Sequence, residues 1–192
     1  MKKKKIFVLL GNPDKDTNSG YFMDRYDEGA IAGGHEVRRA NIGDLKFDPI
    51  LHKGYKKIQE LEPDLVKLQE DIKWCDHFVI IYPVWWSTMP ALLKGMFDRM
   101  WLPGFAFKFL HGGLWWNGLL RGKTARVFVV SDNYPIISNI VFGDTTNEIK
   151  KGILWFAGFS VQIKKYGPMK NLSEKKRFKW GREIYNYGLR GE

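Results

Sequence analysis

This sequence predicts an α/β fold built on an open, five-stranded parallel sheet with helices on both faces, and three observations predict it. Five apolar runs alternate with segments of helical character. One of them, Phe78-Val79-Ile80-Ile81, is apolar throughout, as a strand covered on both faces is. Helix ends also carry their usual markers, with Pro90 where a first turn tolerates a missing N–H and Gly33-Gly34 where a helix must stop. Parallel neighbours need right-handed crossover connections, so the alternation implies a doubly wound sheet, and the order expected for it is 2-1-3-4-5.

In chain order, the first strand takes Ile6 to Leu10 and a helix follows from Ser19 to Ala32. His35 to Ala40 is the second strand. A helix over Pro63 to Trp74 leads to the third strand, Phe78 to Tyr82, and Pro90 to Met100 forms the next helix. Ala125 to Val130, a helix over Thr145 to Phe156 and Phe159 to Lys165 complete the sheet. The terminal helix runs from Ser173, its N-cap, to Tyr187. Asn41 to Leu61 and Pro103 to Lys123 show neither periodicity and read as functional loops or interface segments. With no internal repeat and no linker, residues 1–192 form one expected domain.

The 192 residues are 44% hydrophobic and 27% charged, an ordinary balance for a water-soluble chain with a sizeable core. Net charge is +10, but the lysines are scattered in short clusters and no nucleic-acid motif accompanies them, so no nucleic-acid partner is expected. Cys75 stands alone before a strand, which excludes an intramolecular disulfide or cysteine zinc site and suits a small buried hydrophobe; no metal is expected. The run Ile6 to Leu10 is too short for a signal-peptide core and no run is long enough to span a membrane, so a cytoplasmic location is expected.

Three loops follow the first, third and fourth strands, and in this sheet order all lie on the edge where ligands bind. The first, Gly11-Asn12-Pro13-Asp14-Lys15-Asp16-Thr17-Asn18-Ser19-Gly20, opens a helix. Its first-turn N–H groups, with Thr17, Asn18 and Ser19, suit a phosphate, although a plain N-cap turn has the same composition. There is no Walker sequence and no G-x-G-x-x-G. The second, Tyr82-Pro83-Val84-Trp85-Trp86, places two indoles beside a strand end, where they suit a flat ring. The third, Ser131-Asp132-Asn133-Tyr134, offers polar groups and a phenol for the other ring edge. Together the loops describe a flavin site.

The strings Tyr82-Pro83-Val84-Trp85-Trp86, Pro90-Ala91-Leu92-Leu93-Lys94-Gly95-Met96-Phe97-Asp98-Arg99, Gly104-Phe105-Ala106-Phe107 and Gly152-Ile153-Leu154-Trp155-Phe156-Ala157-Gly158-Phe159 resemble the flavodoxin-like NAD(P)H:quinone oxidoreductases over most of the chain. That family includes DT-diaphorase, bacterial quinone reductases and ancillary flavoproteins of potassium-efflux systems. The resemblance implies a flavodoxin-like fold, bound FAD or FMN, NADPH or NADH as co-substrate, and a homodimer with the active site between subunits. It implies that Asn12, Thr17, Asn18 and Ser19 hold the phosphates. Pro83, Val84, Trp85 and Trp86 line the ring, with Trp86 on the substrate side, and Phe105 and Phe107 lie near the partner's pocket. Ser131, Asp132, Asn133 and Tyr134 stand where many members carry a Thr-Gly-Gly turn. A Tyr and a His assigned to charge stabilisation in DT-diaphorase are replaced by Ile136 and Phe142, which leaves Trp86 and Tyr134 as the catalytic candidates and His111 as a rival acid-base group.

The expected activity is two-electron transfer from a nicotinamide to a quinone-like acceptor by ping-pong turnover. Trp115 and Trp116 suit interface packing better than the pocket. The alternative is a flavin-binding ancillary subunit of a membrane transport system, with its basic face toward lipid or partner.

Overall fold

The computed structural model describes residues 2–192, apart from the side chain of His111. Five parallel strands form the central sheet: β1 (Lys5–Leu10), β2 (Glu36–Asn41), β3 (His77–Pro83), β6 (Thr124–Val130) and β7 (Ser160–Tyr166). Their order is β2-β1-β3-β6-β7, with Ile6 opposite His77 and Phe78 opposite Ala125. The expected order 2-1-3-4-5 is corrected in its numbering, because two further strands intervene in the chain. They are β4 (Phe107–Leu110) and β5 (Trp115–Gly118), an antiparallel hairpin inside the segment expected to be irregular.

Side chains alternate across the sheet with period two and so build two cores. Phe7, Leu9, Phe78, Ile80 and Tyr82 face one way, toward α2 (Pro63–Trp74) and α3 (Ala91–Met100). Ile6, Val8, Leu10, Val79 and Ile81 face the other, toward α1 (Asn18–Ala32) and α5 (Glu174–Arg190). The long segment after β2 is held by Arg99 on α3, whose buried guanidinium bonds Glu62 Oε2 at 2.9 Å and the Glu60 carbonyl at 2.7 Å. A buried cation is tolerable only when its donors are met in this way.

One helix was not anticipated. α4 (Pro135–Phe142) follows the third loop directly and buries none of its residues. After it, Glu148–Trp155 winds in wide π-type turns where an α-helix was expected. Cys75 is buried as expected, and burial pushes its thiol up to about 12, too high for a nucleophile. Trp116 stacks on Phe156 at 4.6 Å and donates Nε1–H to its carbonyl at 2.9 Å, whereas Trp115 is exposed. Among the described residues no helix is long and apolar enough to cross a membrane, and no cluster of His, Cys, Asp or Glu could hold a metal.

Candidate active site

The carboxyl ends of β1, β3 and β6 open on one cleft. Asn12, Thr17, Asn18 and Ser19 form one wall, Pro83, Val84 and Trp85 a second, and Ser131 and Asp132 a third. The Val84 amide donates to the Val130 carbonyl at 2.8 Å, which locks the second loop to the third.

The first loop is stiff. Asn12, 5% exposed, donates Nδ2–H to Thr17 Oγ1 at 3.1 Å and accepts from the Asp14 amide at 3.2 Å. Thr17 Oγ1 also accepts from the Gly20 amide as the N-cap of α1. A Cβ on Gly20 would meet the Lys15 carbonyl oxygen at 1.9 Å, so only glycine lets the loop close on the helix. Thr17 and Asn12 thus spend their polar groups largely on shaping the loop. The direct anion donors are the first-turn amides of Asn18 and Ser19, which have no intrahelical partner.

Arg177 was missed from the sequence. It comes from α5, stacks on Tyr21 at 3.9 Å and donates Nε–H to Asn18 Oδ1 at 3.1 Å. Occupying that oxygen leaves the amide nitrogen of Asn18 as the free end, and adds a cation beside the positive helix terminus. Met169, whose amide donates to the Ser131 carbonyl at 2.9 Å, also lines the cleft and was not anticipated. Neither residue carries a local signal, since only docking of the C-terminal region brings them here.

The second loop turns tightly. Trp85 N–H donates to the Thr88 carbonyl at 2.9 Å and Thr88 N–H returns to the Trp85 carbonyl at 3.1 Å. Trp86 and Ser87 between them have φ of 48° and 66°, the pattern of a primed hairpin turn that Asn and Gly ordinarily fill. Thr88 Oγ1 donates to the Glu148 carboxylate, anchoring the loop to the π-type segment. Trp85 is 47% exposed on the cleft wall, while Trp86 is 99% exposed.

Several expected site residues therefore lie elsewhere. Trp86 and Tyr134 are not part of the cleft wall within one chain, and Asn133 is exposed beyond it. Ile136 and Phe142 are exposed on α4. Phe105 is corrected to a core residue, edge-on to Trp101 at 5.5 Å, because the chain turns inward before the hairpin. Phe107 lines a separate apolar groove with Leu51, Tyr55, Ile58, Trp101 and Pro103. His111, the rival acid-base group, has its side chain outside the described residues. The Tyr82 phenol is buried, and burial, then Glu148 and Asp144, raises its pKa, so it stays protonated.

The donor set suits a phosphate monoester, and the slot between Val84, Trp85 and Ser131 suits a flat ring with polar edges. A flavin nucleotide carries both groups, and these residues fit it.

The sequence profile of Flavodoxin_2, a family of flavodoxin-like fold, matches residues 4–165. Among curated relatives, the ribosyldihydronicotinamide dehydrogenase-like protein traD of Penicillium crustosum is 26% identical over 188 residues, covering 82% of this chain and 70% of that protein. NAD(P)H dehydrogenase [quinone] 1 of Cavia porcellus is 23% identical, covering 82% of this chain and 66% of its own length. The chain thus spans about two thirds of the length of these two relatives. Among solved structures, an NAD(P)H:quinone oxidoreductase from Methanothermobacter marburgensis superposes with a TM-score of 0.83 at 21% identity over 100% of both chains, a likeness of fold. With the profile matching most of the chain and the three-loop cleft at the switch point of its sheet, this protein belongs to the flavodoxin-like family in which the NAD(P)H:quinone oxidoreductases are found.

Proposed function

We propose that the chain is a flavin-dependent NAD(P)H oxidoreductase that passes two electrons to a quinone or similarly flat acceptor. One observation carries this reading: a cleft at the carboxyl ends of three strands that joins a preformed anion cradle to a flat apolar slot. FAD or FMN would be held by the α1 amides, Asn18 and Ser19 at its phosphate, with Pro83, Val84 and Trp85 against the ring. Bound there, a flavin supplies hydride acceptance from NADPH or NADH and electron delivery to the second substrate.

The protein's own part is to orient and to exclude water. Trp85 gives one planar wall, and the Thr88 to Glu148 bond fixes the loop that carries it. One slot would serve both substrates in turn, which makes the turnover ping-pong. Trp86, the apolar hairpin residues Leu114 and Trp115, and the exposed face of α4 suit a homodimer in which a second copy closes the slot. In that assembly Trp86 gains a stacking role and Phe107 a place near the partner's cleft.

The test is reconstitution. Purified protein loaded with FMN or FAD should be yellow, release a flavin identifiable by mass, and be bleached by NADH or NADPH and reoxidised by a quinone. Protein that stays colourless with both flavins removes this reading. A flavin-loaded protein that no nicotinamide reduces, but that leaves membranes only at high salt, favours the ancillary-subunit alternative.

A further inference from the structure

The opposite end of the sheet carries a cluster that electron transfer does not use. Lys4, His77, Thr124, Arg126, Ser160 and Gln162 line a cavity of about 230 Å3 at the amino ends of β1, β3, β6 and β7. His77 and Pro83 are the two ends of β3, about 20 Å apart along the strand. It is far from the flavin cleft.

Its chemistry is mainly cationic, since Glu192, the one acidic residue that also lines it, has its side-chain carboxylate held by Arg190 at 2.9 Å. Arg126 is 8% exposed, and its Nε has no hydrogen-bond partner. Among the described residues it forms no ion pair, and its guanidinium lies over the Tyr187 ring at 4.4 Å. His77 is 3% exposed. Its Nδ1 meets Thr124 Oγ1 at 2.6 Å, and its Nε2 is buried without a partner. Lys4 Nζ reaches only the Gly191 carbonyl, at 2.6 Å. The carboxylates close by are already engaged: Glu183 with Lys164 at 2.8 Å and Glu192 with Arg190 at 2.9 Å. Burial, followed by the charges of Lys4 and Arg126, holds the His77 imidazole down to about 3.

Water in such a cavity can satisfy donors but cannot neutralise two cations beside a buried imidazole. A tetrahedral oxyanion does both. The fork of Arg126 suits two of its oxygens, and Lys4 Nζ, His77 in the tautomer that carries its proton on Nε2, and the rim groups of Ser160 and Gln162 suit the others. We propose that this cavity binds an inorganic oxyanion of the phosphate class, tying the starts of four strands to the C-terminal turn of α5.

The experiment is a thermal-melting titration of flavin-loaded protein with orthophosphate, ionic strength held constant with sodium chloride, alongside phosphorus NMR line broadening. Flavin loading fills the α1 cradle; in flavin-free protein, the double variant Asn18→Ala with Ser19→Ala silences it instead, so the outcome does not depend on the oxidoreductase reading. Melting temperature should rise and saturate, as mass action at one site requires. Arg126→Gln should weaken the apparent affinity at least 10-fold, and Lys4→Gln by less, with flavin content unchanged in both. If Arg126→Gln does not fold, Lys4→Gln and the NMR titration of the parent protein carry the test. A rise that never saturates is general salt exclusion and overturns the proposal. So does saturation that is unchanged in the variants, or tighter binding of glycerol 3-phosphate than of orthophosphate, which would assign the site to an ester.

Discussion

Thr17 to Gly20, the cap and first turn of α1, and Trp85 to Thr88, the tight turn after β3, both border the cleft, yet they differ in nearly every physical respect. In the first, Ser19 is 1% exposed, the threonine caps a helix, and Gly20 is locked against the Lys15 carbonyl. Its polar groups are arranged before any ligand arrives. The second turn holds an indole at φ 48° with its ring wholly in solvent. Left-handed conformations of bulky residues cost about 1–3 kcal/mol, and an exposed indole returns nothing. On the proposed function, a single chain therefore completes the half of the cleft meant for the phosphate and leaves the half meant for the ring open.

The comparison breaks most visibly at Gly20. Gly20→Ala forces a methyl into a carbonyl, so flavin retention after gel filtration should fall at least ~100-fold and urea melts should show a loss of about 2–4 kcal/mol. Retention close to the parent's would mean that the first turn is not preformed. Next come Asn18→Ala and Ser19→Ala, each expected to weaken flavin binding about 10- to 100-fold, the value of a charge-assisted bond of about 1.5–3 kcal/mol. Arg177→Ala should match the Asn18 variant, because it acts through that side chain.

The open half should respond in the other currency, turnover. Trp86→Ala should lower quinone reduction about 10-fold while flavin retention stays within about 2-fold. Light scattering should give about twice the 22.4 kDa chain mass, and Leu114→Glu on the hairpin should return it toward one chain. A parent protein that is monomeric at micromolar concentration and still fully active would close the ring half without a partner. A smaller effect is thermodynamic: Trp86→Asn should stabilise the isolated chain by about 1 kcal/mol, since asparagine tolerates φ above zero. The smallest is an absence of change. No histidine lines the cleft among the described residues, so the rate of flavin reduction should vary little around about pH 6.5, where a free imidazole titrates. A clear break there that vanishes in His111→Asn would make His111 the acid-base group.

The five sheet strands were legible because three are short apolar runs and the other two, β2 and β7, lie between helical segments, and all five begin and end within a residue or two of their expected limits. The turn that caps α1 was legible for the same reason, its capping chemistry being contained in Asn12 to Gly20. By contrast, α4 is only eight residues long and turns Ser138 and Asn139 toward the sheet while its apolar side chains stay exposed, the reverse of the usual helix pattern. The hairpin of β4 and β5 announced itself only through Gly112-Gly113 between two aromatic pairs.

What the sequence by itself determined, then, is the sheet, the order of its loops and the residue types at the cleft, since hydrophobic runs, proline, glycine and helix caps act over a few residues. Tertiary structure alone decided which side chains face the cleft and which do not. Arg177 reaches Asn18 across 159 positions, Phe105 turns into the core beside Trp101, and Lys4, His77 and Arg126 converge at the far end of the sheet. Each of those placements depends on how helices dock on a finished sheet, a sum of distant contacts that no local pattern encodes.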